Sequence, residues 1–432
     1  MKNTIYILLL SLTIFSCDDY LDIETKGFQV PKTVDHLGDM MNTGSQTGSS
    51  AMGGARMQMM KSDNVYLPDQ WNLWTLYMYQ FDPKVEELLY DDTEFATLYR
   101  TIYYSNFVLE NVDSFEEGKQ WNRDEVKGIA LYNRAAAYLI LVNNYAAHYT
   151  EGSEEFGVPY VTSTLLDQDF PLEKVTVIYE AIVEDLKGSI ELLKPDRIGP
   201  VLPGKMAAYT ILSRAYLYMG DYENAKIVAG EALALDSSLE DFKSAPGYWQ
   251  SRDYGDVLQY KDSGAKLYYG SLQPAQDLLD LYDPLTDARY NKYIADYGDW
   301  GIYFNYAAPA NIGASMGELY LNYIEACLRT DDRSSAEPKL DSFLDARYFV
   351  APVYADMDDD QLLDFILDER RREMTNSGMR VYDIKRLNAL HNANITVTHI
   401  YQDKIYTCEP SSDQLILPLP PQEVLINNWG EE

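Results

Sequence analysis

Two stretches of this chain mix aromatic rings with amides and carboxylates, a pattern that suits a binding surface better than a catalytic centre. Ser62–Asp82 reads SDNVYLPDQWNLWTLYMYQFD and sets Trp71 and Trp74 beside Asp69 and Asn72. Phe242–Tyr306 loses helical periodicity and gains Gly, Pro, Tyr and Trp, among them Trp249, Tyr254, Tyr268 and Trp300, with Arg252 close by. Sugars present C–H faces that stack on indole and phenol rings, and hydroxyls that bond to amides, carboxylates and guanidinium groups. Rings in polar company therefore fit a shallow platform for polar oligomers. The candidate ligand contacts are the rings of Trp71, Trp74, Trp249, Tyr254, Tyr268 and Trp300 and the polar groups of Asp69, Asn72 and Arg252. The competing reading is that several of these rings only pack the two segments onto a scaffold.

Motifs of catalysis are missing. The four histidines, His36, His148, His391 and His399, show no spacing of a helical metal site. There is no G-x-S-x-G elbow, no P-loop and no G-x-G-x-x-G. Asp356–Asp360 resembles the start of a calcium loop but lacks the required Gly and closing Glu, so it reads as a solvated helix start. Carboxylates are too plentiful for a glycosidase pair to stand out. No catalytic residue, metal ligand set or cofactor is assigned, and the chain reads as a non-enzyme. With 35 Lys and Arg against 68 Asp and Glu the formal charge is −33, which repels phosphate backbones and argues against nucleic acid as a partner.

Helices must hold these segments in place. Met206–Leu239 puts Tyr209, Leu212 and Tyr216 on one helix face, turns at Gly220-Asp221-Tyr222, and then runs Ala225, Ala229 and Ala232 along a stripe where two helices can approach closely. The spacing keeps the tetratricopeptide repeat of roughly 34 residues, with Tyr209 in the Trp slot, Ser213 for Gly, Ala229 for Phe and Ser237 for Pro. One hairpin cannot bury its own apolar face, so neighbours must stack on it. Apolar positions three and four apart predict further helices over Asp92–Val112, Asp124–His148, Pro171–Leu193, Met316–Thr330, Pro338–Ala346 and Asp359–Met374, with a short piece near Gln276–Tyr282. Gly38–Gly54 has no apolar period and reads as loop, Asn394–Tyr401 as strand, and the Pro-rich tail Leu417–Glu432 as extended.

The expected fold is therefore all-α (mainly α), tetratricopeptide-like hairpins forming a right-handed superhelical scaffold with long irregular loops and minor β. Scaffold elements are expected at about 92–240 and 316–346, a loop-rich ligand region at about 241–315, and a C-terminal helix and tail at 359–432, within one domain from residue 17 onward.

The amino terminus reads as an address. Met1–Cys17 has one Lys, then an apolar run from Ile5 to Phe15 too short to span a bilayer, then Ser16 and Cys17. Ile14-Phe15-Ser16-Cys17 resembles the bacterial lipobox. That likeness implies a signal peptide over 1–16, acyl chains on Cys17, and a membrane attachment made by the lipid anchor alone. The following Asp18-Asp19 looks like the signals that direct such lipoproteins to the outer face of the outer membrane. Cys327 and Cys408 remain, with no framework spacing to imply a disulfide.

Spread over nearly the whole mature chain is a resemblance to the SusD/RagB outer-membrane lipoproteins of Bacteroidetes. Cys17-Asp18-Asp19-Tyr20-Leu21-Asp22 resembles their lipidated start, and Asn133-Arg134-Ala135 with Tyr145 and Gly157-Val158-Pro159 their "RA…YG.VPL" segment. Asp287-Ala288-Arg289 is similar to their "DPR" loop without its Pro. Glu318–Leu321 with Ile324-Glu325-Ala326 resembles "E.YL..AEA". Asp368–Leu387, DERRREMTNSGMRVYDIKRL, is similar to "ERRREF.FEG.RWFDLRRW", with Asn376-Ser377-Gly378 departing from the Glu-Gly pair. Leu417–Pro420 with Glu423 and Asn427 resembles the closing "PIP..E…NP". The charges of Glu369–Glu373 contain their own counter-charges and read as architecture, not as an anion clamp.

The resemblance implies a cell-surface lipoprotein acting as a lid on a SusC-like TonB-dependent transporter, with variable loops that capture an oligosaccharide or polysaccharide nutrient. A peptide ligand in the same lid role, a tetratricopeptide-type protein scaffold and a glycoside hydrolase stay open beside it. The family's ligand contacts are not fixed by its shared motifs, so none is carried over.

Overall fold

The computed structural model describes residues 31–42, 54–68, 73–89, 92–195, 201–244, 255–263, 272–308 and 310–429. Along the chain come α1 (Val34–Met41), α2 (Arg56–Lys61), β1 (Val65–Tyr66), α3 (Leu73–Tyr79), α4 (Val85–Leu88), α5 (Thr93–Asn111) and α6 (Arg123–Tyr145). Next are β2 (Phe156–Pro159), β3 (Leu172–Lys174), α7 (Val175–Leu192), α8 (Lys205–Met219) and α9 (Tyr222–Leu235). Short elements follow: β4 (Val257–Gln259), β5 (Gln273–Pro274), α10 (Gln276–Leu279), α11 (Tyr290–Tyr293), β6 (Ile294–Asp296), β7 (Ile302–Phe304) and β8 (Ala314–Ser315). The chain closes with α12 (Met316–Arg329), α13 (Arg333–Arg347), α14 (Asp359–Glu373), α15 (Arg380–His391), β9 (Val397–Tyr401), β10 (Lys404–Cys408) and α16 (Pro421–Asn427).

Long helices stack in chain order. α5 packs on α6, α6 on α7, α7 on α8 and α8 on α9, and α9 then packs on α12, which also meets α13 and α14. The fold is mainly α and tetratricopeptide-like, as the repeat spacing predicts. Gly220 closes α8 in the left-handed region at φ 76°, donating its N–H to Leu217 and Tyr216 carbonyls, and Asp221 caps α9 by accepting from Asn224 N–H. Ala225, Ala229 and Ala232 are fully buried. A Cβ on Gly230 would stand 3.2 Å from the Tyr323 ring, so α9 and α12 approach as closely as the small-residue stripe implies. All the strands pair antiparallel in twos, β1 with β5, β2 with β3, β4 with β8, β6 with β7 and β9 with β10.

Several helix ends follow their caps. Asp92 accepts from Glu94 and Phe95 N–H to start α5, and Asn122 accepts from Asp124 and Glu125 N–H to start α6. Asp358 and Gln361 form a capping box at α14, so the Asp356–Asp360 run is a helix start.

Other expectations need correction. Gly38–Met41 is helical, not loop: a Cβ on Gly38 would fall 2.2 Å from the Trp121 ring, so this glycine serves close packing. Asp35 secures that contact by accepting from Lys119, Gln120 and Trp121 N–H at 2.8, 2.9 and 2.8 Å. Pro171–Leu193 begins as strand β3 and turns helical only at Val175. α13 starts at Arg333, more than a turn before Pro338, because Asp332 caps it through Ser335 N–H. The tail is not wholly extended, since Pro421 opens α16, where a missing N–H costs nothing. α15 has too little apolar period to stand out as a helix, because Asp383, Lys385 and Arg386 on it are buried.

Those buried charges are answered by others. Arg214 of α8 donates to Glu318 of α12 at 2.5 and 2.6 Å, both side chains being sealed from water. Arg370 of α14 donates to Asp383 at 3.0 Å and to Asn322 Oδ1 at 2.7 Å. Arg386 joins Asp383 to Glu325, which also accepts from Arg329. Removing one partner strands the other, so Arg214→Met is expected to destabilise the fold by about 3–5 kcal/mol in urea denaturation.

Acid should undo part of this network. Burial pushes the Glu325 and Glu369 carboxyls up, but the arginines beside them (Arg386 and Arg329, and Arg289 and Arg372) overcome it and hold both below the ordinary carboxylate value. In the unfolded chain these groups take up protons first. Their contribution is therefore full above pH ~5 and lost as pH falls through the folded values. The urea midpoint is expected to fall from pH 5 to pH 3, and less steeply in Glu325→Gln once its lower starting stability is subtracted.

Candidate functional site

Trp300 stands on a tight turn between β6 and β7, in the short 3-10 segment Gly298–Trp300. Asp296 Oδ1 accepts from Gly298 N–H at 2.8 Å, and Tyr297 N–H donates to Gly301 carbonyl at 3.1 Å. Gly298 and Gly301 take φ of 62° and 102°, which side chains with a Cβ rarely adopt. The turn leaves Trp300 84% exposed, with Tyr297 at 61% and Tyr306 at 70%. Tyr297 and Tyr303 rings lie 6.1 Å apart. Below them Ile294 and Phe304, a cross-strand pair, are buried and fix the hairpin to the core.

The two segments predicted to cooperate do meet. β1 of the first pairs with β5 of the second, Val65 opposite Pro274 and Tyr66 opposite Gln273. β5 also lies beside β7. A Cβ on Gly301 would come 3.0 Å from Gln273 Nε2, so the Trp300 turn abuts this strand pair. Tyr66, 41% exposed, adds a ring on the β1 side.

Both halves are bolted to α14 and α15. Arg380 donates to the two oxygens of Asp63 at 2.8 and 2.8 Å, while Arg371 donates to Asn64 Oδ1 at 2.8 Å and to the Asp63 carbonyl at 3.0 Å. Asn64 carbonyl in turn accepts from Ala275 N–H at 2.9 Å, just after β5. On the hairpin side, Asp287 and Arg289 are fully buried. Arg289 donates to Asp287 at 2.9 and 2.8 Å and to Glu369 at 2.7 Å, and it reaches Glu373 at 3.4 Å. Glu373 also accepts from Arg347, whose guanidinium binds Asp256 and lies over the Phe242 ring, 4.0 Å from its centroid. Arg289 leads into α11 and so into β6. The first segment is held further by His399 of β9, sandwiched between Tyr79 at 4.0 Å and Phe81 at 4.9 Å.

Of the residues picked from the sequence, Trp300 lies exposed on this turn. Cys17, Asp69, Trp71, Asn72, Trp249, Arg252, Tyr254 and Tyr268 lie outside the described residues, and only the backbone of Trp74, within α3, is described. The Ser62–Asp82 segment, read as loop, contains β1 and α3. Tyr66, Tyr297, Tyr303 and Tyr306 were missed. The run Tyr297-Gly298-Asp299-Trp300-Gly301 carried the sign, since two glycines in so short a stretch force a turn that lifts its rings off the core. A concavity of about 310 Å³ lies between α5, the 159–170 segment and α16, lined by Phe95, Tyr99, Leu165, Leu166, Ile426 and Trp429. Its walls are mostly apolar and offer few partners for a hydroxyl-rich ligand. Cys327 and Cys408 are buried free thiols.

A family model described as "Starch-binding associating with outer membrane" matches residues 18–217, and one described as "SusD family" matches residues 285–424. A SusD superfamily protein from Bacteroides thetaiotaomicron is 19% identical and shares the fold at TM-score 0.76, the alignment covering 92% of this chain and 98% of that one. Proteins described as a "Putative sugar binding protein" and a "SusD-like carbohydrate binding protein", both from Bacteroides vulgatus, are 22% and 21% identical. Each alignment covers 91% of this chain and 95% of the other, at TM-scores of 0.73 and 0.71. No curated protein matches the chain by sequence.

If α15 holds the first segment through Asp63, Arg380→Met should loosen that segment without melting the stack. Hydrogen exchange is expected to quicken at residues 62–67 and 272–275, with the helical circular dichroism unchanged. Protection equal to the unmodified protein at those residues would remove the clamp from the account.

Proposed function

Since the chain belongs to the SusD/RagB family, we propose that it captures an oligosaccharide or polysaccharide at the cell surface and passes it to a SusC-like TonB-dependent transporter. It performs no chemistry on the ligand. The observation that carries the capture step is Trp300, a large ring left 84% exposed on a turn whose base is pinned to buried ion pairs. An exposed indole on a rigid support, with Tyr297 in the same turn, gives a sugar ring a flat apolar face to cover at little conformational cost. The polar groups that sugar hydroxyls require are those of the same two segments, with Asp69, Asn72 and Arg252 as candidates and Trp71, Trp74, Trp249, Tyr254 and Tyr268 as further rings. The sugar-binding and carbohydrate-binding relatives support a glycan ligand.

Attachment is proposed through acyl chains on Cys17 at the outer membrane, with residues 17–432 as one domain. The starch-binding family description names an association with that membrane, and among the described residues no helix is long and apolar enough to cross a bilayer.

The test is retention in native gels cast with candidate polysaccharides. Unmodified protein is expected to be slowed by at least one of them. Trp300→Ala is expected to lose at least tenfold in apparent affinity while its circular dichroism stays the same. Titration calorimetry against peptide panels covers the other ligand class: heat with peptides and none with glycans would replace the glycan with a peptide. Unaltered glycan retention in Trp300→Ala would move the site away from this turn.

A further inference from the structure

We propose that the glycan taken by this platform is uncharged, and that the carboxylates around Trp300 turn away chains bearing uronic acids or sulfates. The inference rests on the glycan reading above and adds to it a rule for which glycans qualify.

Segment 245–306 holds nine Asp and five Lys or Arg. Among its described cations, Lys261 and Arg289 are buried. Lys292 is half-buried, its ammonium 5.2 Å from the centroid of the Phe242 ring. Nearby guanidinium groups are already engaged, Arg371 and Arg380 by Asp63 and Asn64. Of the carboxylates, Asp256 and Asp287 are buried beside Arg347 and Arg289, and five others are exposed. Asp296 and Asp299 are exposed within the very turn that lifts Tyr297 and Trp300, and Asp277, Asp280 and Asp283 are exposed on and just after α10, which follows β5.

Asp299 is the neighbour of Trp300, its Cα ~3.8 Å away, and Asp296 stands opposite Ile302 at the base of the same turn, so a chain stacked on Trp300 passes both turn carboxylates. Repulsion from a ligand carboxylate or sulfate is felt over about one Debye length, ~10 Å at 0.1 M salt. No exposed cation among the described residues of the segment offsets it. The formal charge of −33 on the whole chain adds a repulsive approach for any polyanion. A neutral sugar meets none of this.

A matched pair of ligands tests the rule. A neutral polysaccharide that retains the full-length protein is oxidised at its primary hydroxyls to carboxylates, and the two forms are compared in affinity gels. At 20 mM NaCl the unmodified protein is expected to bind the oxidised form at least fivefold more weakly, the gap narrowing at 0.5 M NaCl. Asp296→Asn/Asp299→Asn is expected to narrow the gap at low salt, read as the ratio of oxidised to neutral affinity within the variant, with the turn kept because Asn at 296 can still accept from Gly298 N–H. Equal or tighter binding of the oxidised form at low salt overturns the proposal, as does a salt-independent gap or one the double variant leaves intact. Retention on polyuronates alone keeps the glycan reading and rejects this one. Retention on no glycan rejects both.

Discussion

An arginine sealed from water has to find its counter-charges inside the protein, and Arg289, Arg347, Arg370 and Arg386 are all so sealed. Their partners are drawn from segments distant in sequence. Asp287 comes just before α11, Asp256 just before β4, Glu318 and Glu325 from α12, Glu369 and Glu373 from α14, and Asp383 from α15. Each pairing works only if those elements sit where they do, so the network fixes their relative positions as well as their charges. Hydrophobic packing alone is more forgiving of small slips between helices.

That constraint explains how an irregular region can carry a defined surface. The described residues of segment 255–308 form few long elements. Its two-residue and three-residue strands would be marginal alone. Here they are tied at Arg289 on one side and at Asp63–Asn64 on the other, with α14 serving both ties. Trp300 owes its exposure to local turn chemistry and its fixed position to charges buried well away from it.

The helical stack was legible because its chemistry is local and periodic. Gly220, Asp221 and the Ala225-Ala229-Ala232 stripe each do in three dimensions what their types and spacing imply, and the charges of Glu369–Glu373 proved to be architecture. Legibility failed where residues act against their usual class. Gly38 is a packing glycine in a helix, and α15 is a helix whose inward face is charged. The exposed rings were less legible. Composition marked the segment that carries Trp300, but apolar count cannot separate a ring that packs from one left in solvent. Tyr297 differs from the buried Tyr293 through the backbone turn that Gly298 and Gly301 make.

The placing of Trp300 on a turn whose anchors lie below it has an evolutionary corollary. Insertions or replacements between Asp296 and Ile302 touch neither the buried arginines nor the helix stack, so descendants of this chain are free to exchange the tip. Changes at Arg289 or Asp63 enjoy no such freedom. Lineages sharing this body should therefore diverge fastest at the exposed tip and slowest at the buried charges beneath it.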